Sequence, residues 1–208
     1  MEIFDIYDEQ MNPIGTASRA EVHKLGHWHQ TFHCWLIRRD GSRRYVWFQL
    51  RQAGKDTYPD HYDITAAGHL SAGETVREAV REIEEELGLS ADFEQLVPLG
   101  QYREESASEA GGVPFIDREL SHVFGLVCKV PLVSLKLQAE EVAGVYEAEL
   151  EDMIALFEGR ISEVGAQGVE PAADGQLQLA QRTVTASRFV PRESSYYAGI
   201  FRSLAQLG

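Results

Sequence analysis

Cysteine, basic charge and long apolar runs are all scarce in this chain. Lysine and arginine number 19 against 33 aspartates and glutamates, and the net charge is −14. Such a field repels the phosphate backbone of duplex nucleic acid, which is bound by basic groups that release counterions. Nucleic acid is therefore a disfavoured partner. An anionic small molecule stays open as substrate, provided that metal ions and local arginines reverse the field at the site. The two cysteines, Cys34 and Cys128, each lie inside an apolar stretch that reads as a strand. Core packing is their simplest role, and a disulfide between them is not expected in a chain that reads as cytosolic. No run of about 18 apolar residues occurs, so no membrane partner is expected. The opening residues MEIFDIYDEQ lack the basic-then-apolar order of a secretory leader, which makes a cytoplasmic location the expectation.

What is present suits one domain over residues 1–208: a 208-residue chain that is 44% hydrophobic can bury a sizeable core. Glu2–Asp8 alternates as a short strand, Asn12-Pro13 marks a turn, and Ser18 caps a helix from about Arg19 to Lys24. His27, His29 and His33 form the densest histidine cluster. The spacing of His29 and His33 would suit metal ligands on a helix, but Phe32–Ile37 reads as a strand. Asp40-Gly41 between two apolar runs predicts a hairpin, and Tyr62–Ala67 a strand. A polar stretch, Glu105–Pro114, reads as a loop over a site. Leu120–Val130 is a buried strand, followed by a short strand at Val145–Ala148 and a helix at Glu151–Glu158. Residues 159–208 read as a C-terminal extension: a peripheral hairpin around Asp174-Gly175, then a helix capped by Ser194. Strands interleaved with helices and antiparallel hairpins favour a mixed sheet between helices, an α/β class.

The most informative stretch is GHLSAGETVREAVREIEEELGL, Gly68 to Leu89. A glycine-rich turn leads into an amphipathic helix, predicted from about Thr75 to Leu87 and stopped by Gly88. Val76, Ala79, Val80, Ile83 and Leu87 form its apolar stripe. Glu82, Glu85 and Glu86 sit at i, i+3 and i+4, where like charges about 5–6 Å apart repel by a few tenths of a kcal/mol per pair. A hard divalent cation removes that repulsion, and magnesium takes carboxylate oxygens together with water and phosphate. Arg81 can pair with Glu85 and Glu78 on the same helix. Arg51 and Lys55, following the second strand of the hairpin, are candidates to hold a phosphate.

This stretch resembles the Nudix box, G-x5-E-x7-R-E-U-x-E-E-x-G-U, where U is a bulky aliphatic residue. The match includes Gly68 and Glu74 in the turn and runs position by position from Arg81 to Leu89. One residue is missing: six residues separate Glu74 from Arg81, which puts their pairing in question. The resemblance implies a Nudix fold, an α/β/α sandwich, over residues 1–158. It also implies a hydrolase of diphosphate bonds that uses Mg2+ or Mn2+ held by Glu82, Glu85 and Glu86. Arg81 is then structural, and Glu82 is the choice of base, with Glu119 and Glu141 the candidates outside the box.

Three more segments are similar to the branch of this family that contains type I isopentenyl-diphosphate isomerase. They are His29-Gln30-Thr31-Phe32, YPDHYDITAAGH (Tyr58–His69) and DRELSHV (Asp117–Val123). That resemblance places His29, His69, Asp117 and Glu119 as a second metal or substrate site. Val22 stands at a fifth ligand position, with His23 beside it. Ala67 stands where the isomerase has its catalytic cysteine, and a methyl group cannot shuttle a proton. The expectation is thus a pyrophosphohydrolase acting on a small nucleotide-like, prenyl or cofactor diphosphate. An isomerase-like enzyme and a non-catalytic ligand-binding domain are the alternatives. The tail after Gly159 is free to close the cleft or to support a homodimer.

Overall fold

A computed structural model of the chain describes residues 2–55, 57–110 and 113–207. Two strands, β1 (Ile3–Tyr7) and β2 (Pro13–Ser18), form an N-terminal hairpin. β2 was not foreseen: its first four residues are exposed, so it carries no apolar alternation. Helix α1 (Arg19–Leu25) starts where expected. Ser18 and Glu21 make a reciprocal capping box, and Gly26 ends the helix in the left-handed region at φ 69°.

β3 (Trp28–Asp40) is the spine of the sheet. Phe32, Cys34 and Leu36 point to one side while His33, Trp35 and Ile37 point to the other, and all six are buried. A strand buried on both faces reads as a continuous apolar run. On one edge β3 pairs with β6 (Ala66–His69) and then with β4 (Arg43–Arg51), through the hairpin at Gly41. On the other it pairs in parallel with β8 (Val113–Val127). β5 (Tyr62–Asp63) pairs with β4, and β7 (Val97–Ala110) with β8.

Part of the stretch expected to loop over the site is strand instead. β7 and β8 stay in register from Glu105↔Arg118 to Ala110↔Val113, while Gly111 and Gly112 lie outside the described residues. The polar Ser/Ala/Glu composition hid this ribbon, whose ladder needs only backbone groups. The C-terminal hairpin, β10 (Val164–Pro171) and β11 (Leu177–Val184), joins the sheet at its edge. β10 pairs with β9 (Val142–Glu149), extending the sheet in the order β11-β10-β9-β4-β3-β1-β2. A Cβ at Gly168 would meet the Val145 carbonyl at 2.4 Å, so glycine permits this approach. Buried Glu147 pins the junction, accepting from Arg38, Trp47 and Gln167.

Helix α2 (Arg81–Leu87) covers one face, seating Ile83 and Leu87 among Phe32, Leu36 and Trp47. α3 (Leu150–Phe157) and α4 (Ser194–Leu204) cover the other, around Trp35, Phe48, Tyr146 and Phe201. The position before α4 belongs to Glu193, not Ser194. The result is the expected α/β/α sandwich with a mixed sheet.

Candidate active site

The helix of the box begins later than predicted. Thr75 is a turn whose N–H and hydroxyl both donate to Glu78, Glu78–Val80 is a 3₁₀ turn, and α-helix begins only at Arg81. This absorbs the missing residue. At about 2.0 Å rise per residue, three 3₁₀ residues span the length of four α residues at about 1.5 Å. The pairing in question is therefore made: Arg81 donates to both oxygens of Glu74, at 2.6 and 3.0 Å. Its Nη1 also meets Glu82 at 2.7 Å and Glu85 at 2.9 Å. Glu78, turned toward Thr75, is not its partner.

The three carboxylates differ in setting. Glu85 is half exposed. Glu82 packs flat on the chain at Gly68, where a Cβ would lie 2.1 Å from its carboxyl carbon; the glycine of the box is a requirement of close approach. Glu86 is buried, and its Oε2 accepts from Ala67 N–H at 3.1 Å and Gln49 Nε2 at 3.2 Å. Burial and neighbouring carboxylates push Glu82 up to about 7, against the pull of Arg81. Burial first, then Glu82, push Glu86 up to about 8. Burial outweighs the one cation beside Glu82, Arg81, and Glu86 has no cation in hydrogen-bond contact among the described residues, a setting that a bound divalent ion would relieve.

A second cluster gathers across the cavity. His29 on β3 and His69 on β6 face Glu119 on β8, with Nε2 to Oε1 distances of 3.7 and 3.5 Å. His23, from α1, joins them: its Nε2 lies 3.5 Å from Asp117 Oδ1, and His29 Nε2 is 3.7 Å from the same oxygen. The neighbour of the aligned position thus supplies the fifth group. His23 Nδ1 donates to the Arg19 carbonyl and His29 Nδ1 to that of His27, which turns both Nε2 lone pairs inward. Phe4 stacks on His29 and His69, and Phe115 on His23. His29 Nε2 and Asp117 Oδ1 are buried with no hydrogen-bond partner among the described residues. Orphaned buried donor atoms aimed at one point fit a metal ion.

Members of both clusters line one cavity of about 590 Å³, with His29 buried behind its wall. Arg51 lies at it but is committed to structure, donating to Asp63 at 3.1 Å and to the carbonyls of Thr57 and Tyr58. Lys55 pairs with Glu141, so this lysine and one of the two alternative bases neutralise each other at the mouth. Ala67 lines the wall between the clusters. Sequence reasoning did not single out Asp63 or Arg192, which also reach the cavity. An isolated arginine in a polar segment carries no motif to find it by.

A NUDIX domain family model matches residues 27–163. The chain belongs to the Nudix hydrolase family. Its members act on diphosphate bonds and generally need divalent metals. An uncharacterized Nudix hydrolase of Clostridium acetobutylicum is 36% identical over 203 residues, spanning 98% of this chain and 97% of that one. An isopentenyl-diphosphate Delta-isomerase of Clavibacter michiganensis is 34% identical over 63% of this Nudix chain and 65% of its own. Among solved structures, a Deinococcus radiodurans protein superposes with TM-score 0.56 at 19% identity, covering 76% of this chain and 90% of its own. A MutT/nudix family protein from Enterococcus faecalis gives 0.50 at 11%, covering 85% and 61%. These two establish the Nudix fold and nothing finer.

Proposed function

We propose that this chain is a Mg2+- or Mn2+-dependent pyrophosphohydrolase that opens a diphosphate linkage in a small organic diphosphate by attack of water on phosphorus. The substrate classes compatible with this reading are nucleotide-like, prenyl and cofactor diphosphates. The observation that carries it is the placement of Glu82, Glu85 and Glu86 on the wall of one cavity, with Arg81 fixing the first two. Glu82, Glu85 and Glu86 would hold the catalytic cation, and His23, His29, His69, Asp117 and Glu119 a second one. A bound divalent ion polarises a phosphoryl oxygen and lowers the pKa of bound water. The chain's own part is to orient the carboxylates through the Arg81–Glu74 pair and the Ala67 N–H. Glu82 is the proposed base, its carboxylate held against the chain at Gly68 beside the cation site. Ala67, at the cavity wall, offers no group for the isomerase reaction.

The test is a screen of organic diphosphates with Mg2+ or Mn2+, scored by phosphate release and product mass. Two products whose masses sum to substrate plus water are expected. A product isomeric with its substrate, or no product from any compound, overturns the reading.

A further inference from the structure

A strand at the end of a sheet offers a row of unpaired N–H and C=O groups, and proteins blunt such edges with proline, bulges, charge or shortness. Two long edges of this sheet are blunted in these ways. β2 carries Pro13 and Gly15, and its register with β1 shifts between them. β7 carries Pro98 and Gly100 at a register shift, then Glu104, Glu105 and Glu109 farther along. β11 has none of these devices. It pairs with β10 without a shift from Val164↔Val184 to Pro171↔Leu177, and no strand pairs with its outer side among the described residues. Its sequence, LQLAQRTV, holds no proline, glycine, lysine or acid. Its one charge is already engaged: Arg182 donates to the Tyr146 hydroxyl at 3.2 Å and to Glu170 at 2.6 Å.

The distribution of acids sets the same strand apart. The chain has 33 aspartates and glutamates, yet three stretches longer than 15 residues hold none: 22–39, 120–139 and 175–192. The first two contain β3 and the inner part of β8, which pair with each other inside the sheet and are mostly buried. The third contains β11, five of whose eight residues are exposed. β11 therefore has the composition of a covered strand in a place that leaves it open. Leu179 shows the mismatch most sharply. It is 81% exposed, although Val169, opposite it on β10, is fully buried. Val133, also exposed, sits on the 3₁₀ turn Leu132–Ser134, which lies against β10 and β11.

Net charge says which chain covers the edge. A basic partner would be drawn to the acidic remainder of the surface, not to a stretch without acids. Two copies at −14 each repel, and an acid-free edge is where they approach at least cost. The strand is also compatible with itself. Antiparallel pairing about a two-fold axis at Leu179 sets Leu179 against Leu179, Gln178 against Ala180 and Leu177 against Gln181. The same register sets Arg182 against Gln176, which keeps the two arginines apart.

We propose that β11 pairs antiparallel with β11 of a second copy of this chain, with the two-fold axis at Leu179, so that one sheet runs through a homodimer. Such an interface is isologous, each copy giving and receiving the same contacts. No residue of β11 lines the cavity, so each copy keeps its own site, and the pairing stands apart from the diphosphate reading.

The experiment is sedimentation velocity of the full-length protein over about 1–300 µM, since a single strand edge makes a small and therefore weak interface. The mass should rise from 23.3 kDa toward twice that value with concentration. Leu179→Lys, at an exposed position, should keep the circular dichroism spectrum and raise the dimer dissociation constant at least about tenfold, because it sets like charges opposite each other. Leu179→Cys should give a disulfide-linked dimer on mild oxidation. Wild type should not, because Cys34 and Cys128 are buried, and neither should Leu177→Cys, whose side chain would face Gln181. A monomer throughout the range, a dimer indifferent to Leu179→Lys, or cross-linking of Leu177→Cys in place of Leu179→Cys each overturn the proposal.

Discussion

Glu82 and Glu86 on α2 and Glu119 on β8 are carboxylates facing the same cavity, yet their charges are managed in opposite ways. In the box, burial and mutual repulsion dominate, and Glu82 and Glu86 are held toward their neutral forms at about 7 and 8. Across the cavity, burial also pushes Glu119 up, but the imidazoles of His29 and His69 outweigh it and hold the carboxyl well below its ordinary range. In the box, Arg81 does not offset the burial of Glu82, and Glu86 has no cation in hydrogen-bond contact among the described residues. The other cluster carries its own proton acceptors and donors and is partly neutralised without a cation. The first setting should depend on metal for activity, and the second should bind metal in exchange for protons.

The largest effect expected from breaking this contrast is on turnover. Glu85→Gln or Glu86→Gln should lower kcat by at least about a hundredfold, because each would remove an anionic ligand of the proposed cation while keeping shape. Circular dichroism should show an intact fold. Near-normal turnover in both variants would remove the box from the chemistry.

Metal counting sharpens the comparison next. Stripped wild-type protein reloaded with Mn2+ should bind more ions per chain than the Glu85→Gln/Glu86→Gln double variant loses. The remainder should vanish in His29→Ala, since His29 lies between both acids of the second cluster. If the double variant loses all bound metal, the histidine cluster is a hydrogen-bonding site only.

The two clusters were also unequally legible. Box carboxylates lie within five residues on one helix, so spacing alone places them together. His29, His69, Asp117 and Glu119 come from three strands, and only a family resemblance could join them. His23 needed α1 to be docked before its side chain could point inward. The Arg192 side of the cavity was not legible at all. Arg192 meets Asp63 across 129 positions, through a hairpin that enters the sheet because glycine stands at position 168. Order along the chain carries no information about such a meeting. The sandwich itself was readable because β3 and β4 carry continuous apolar runs and α2 has a clear apolar period. The exposed β2 and the polar β7–β8 ribbon, held by backbone pairing, were not.

A smaller effect concerns stability against pH. Glu86 binds its proton more tightly folded than unfolded, so its contribution to stability is fully present below about 4.5 and is lost as pH rises through about 8. Metal-free Glu86→Gln, which never ionises, should therefore melt above the metal-free wild type at pH 9 and near it at pH 5. The shift from 4.5 to about 8 caps the penalty at roughly 5 kcal/mol, and a residual of only about 2 kcal/mol would appear as roughly 5 °C in Tm. Saturating Mg2+ should close the gap at pH 9, because the cation replaces the missing charge. A gap of equal size at both pH values would show that Glu86 is not strained by its charge.

The smallest effect isolates the route by which His23 enters the second cluster. α1 is only seven residues long, and its first turn is held by the Ser18–Glu21 capping box. A helix this short has little stability of its own. Ser18→Ala removes one half of the box and should cost about 1 kcal/mol, or about 2–4 °C in Tm. The loss is local, because α1 packs mainly on β1, β2 and β8. Mn2+ affinity of the second cluster should therefore fall a few-fold, since His23 is positioned through its Nδ1 bond to the Arg19 carbonyl in that first turn. Turnover per box cation should stay level at saturating metal. A variant that loses turnover in step with second-site affinity would instead couple the two clusters, making the histidine-held ion part of the reaction.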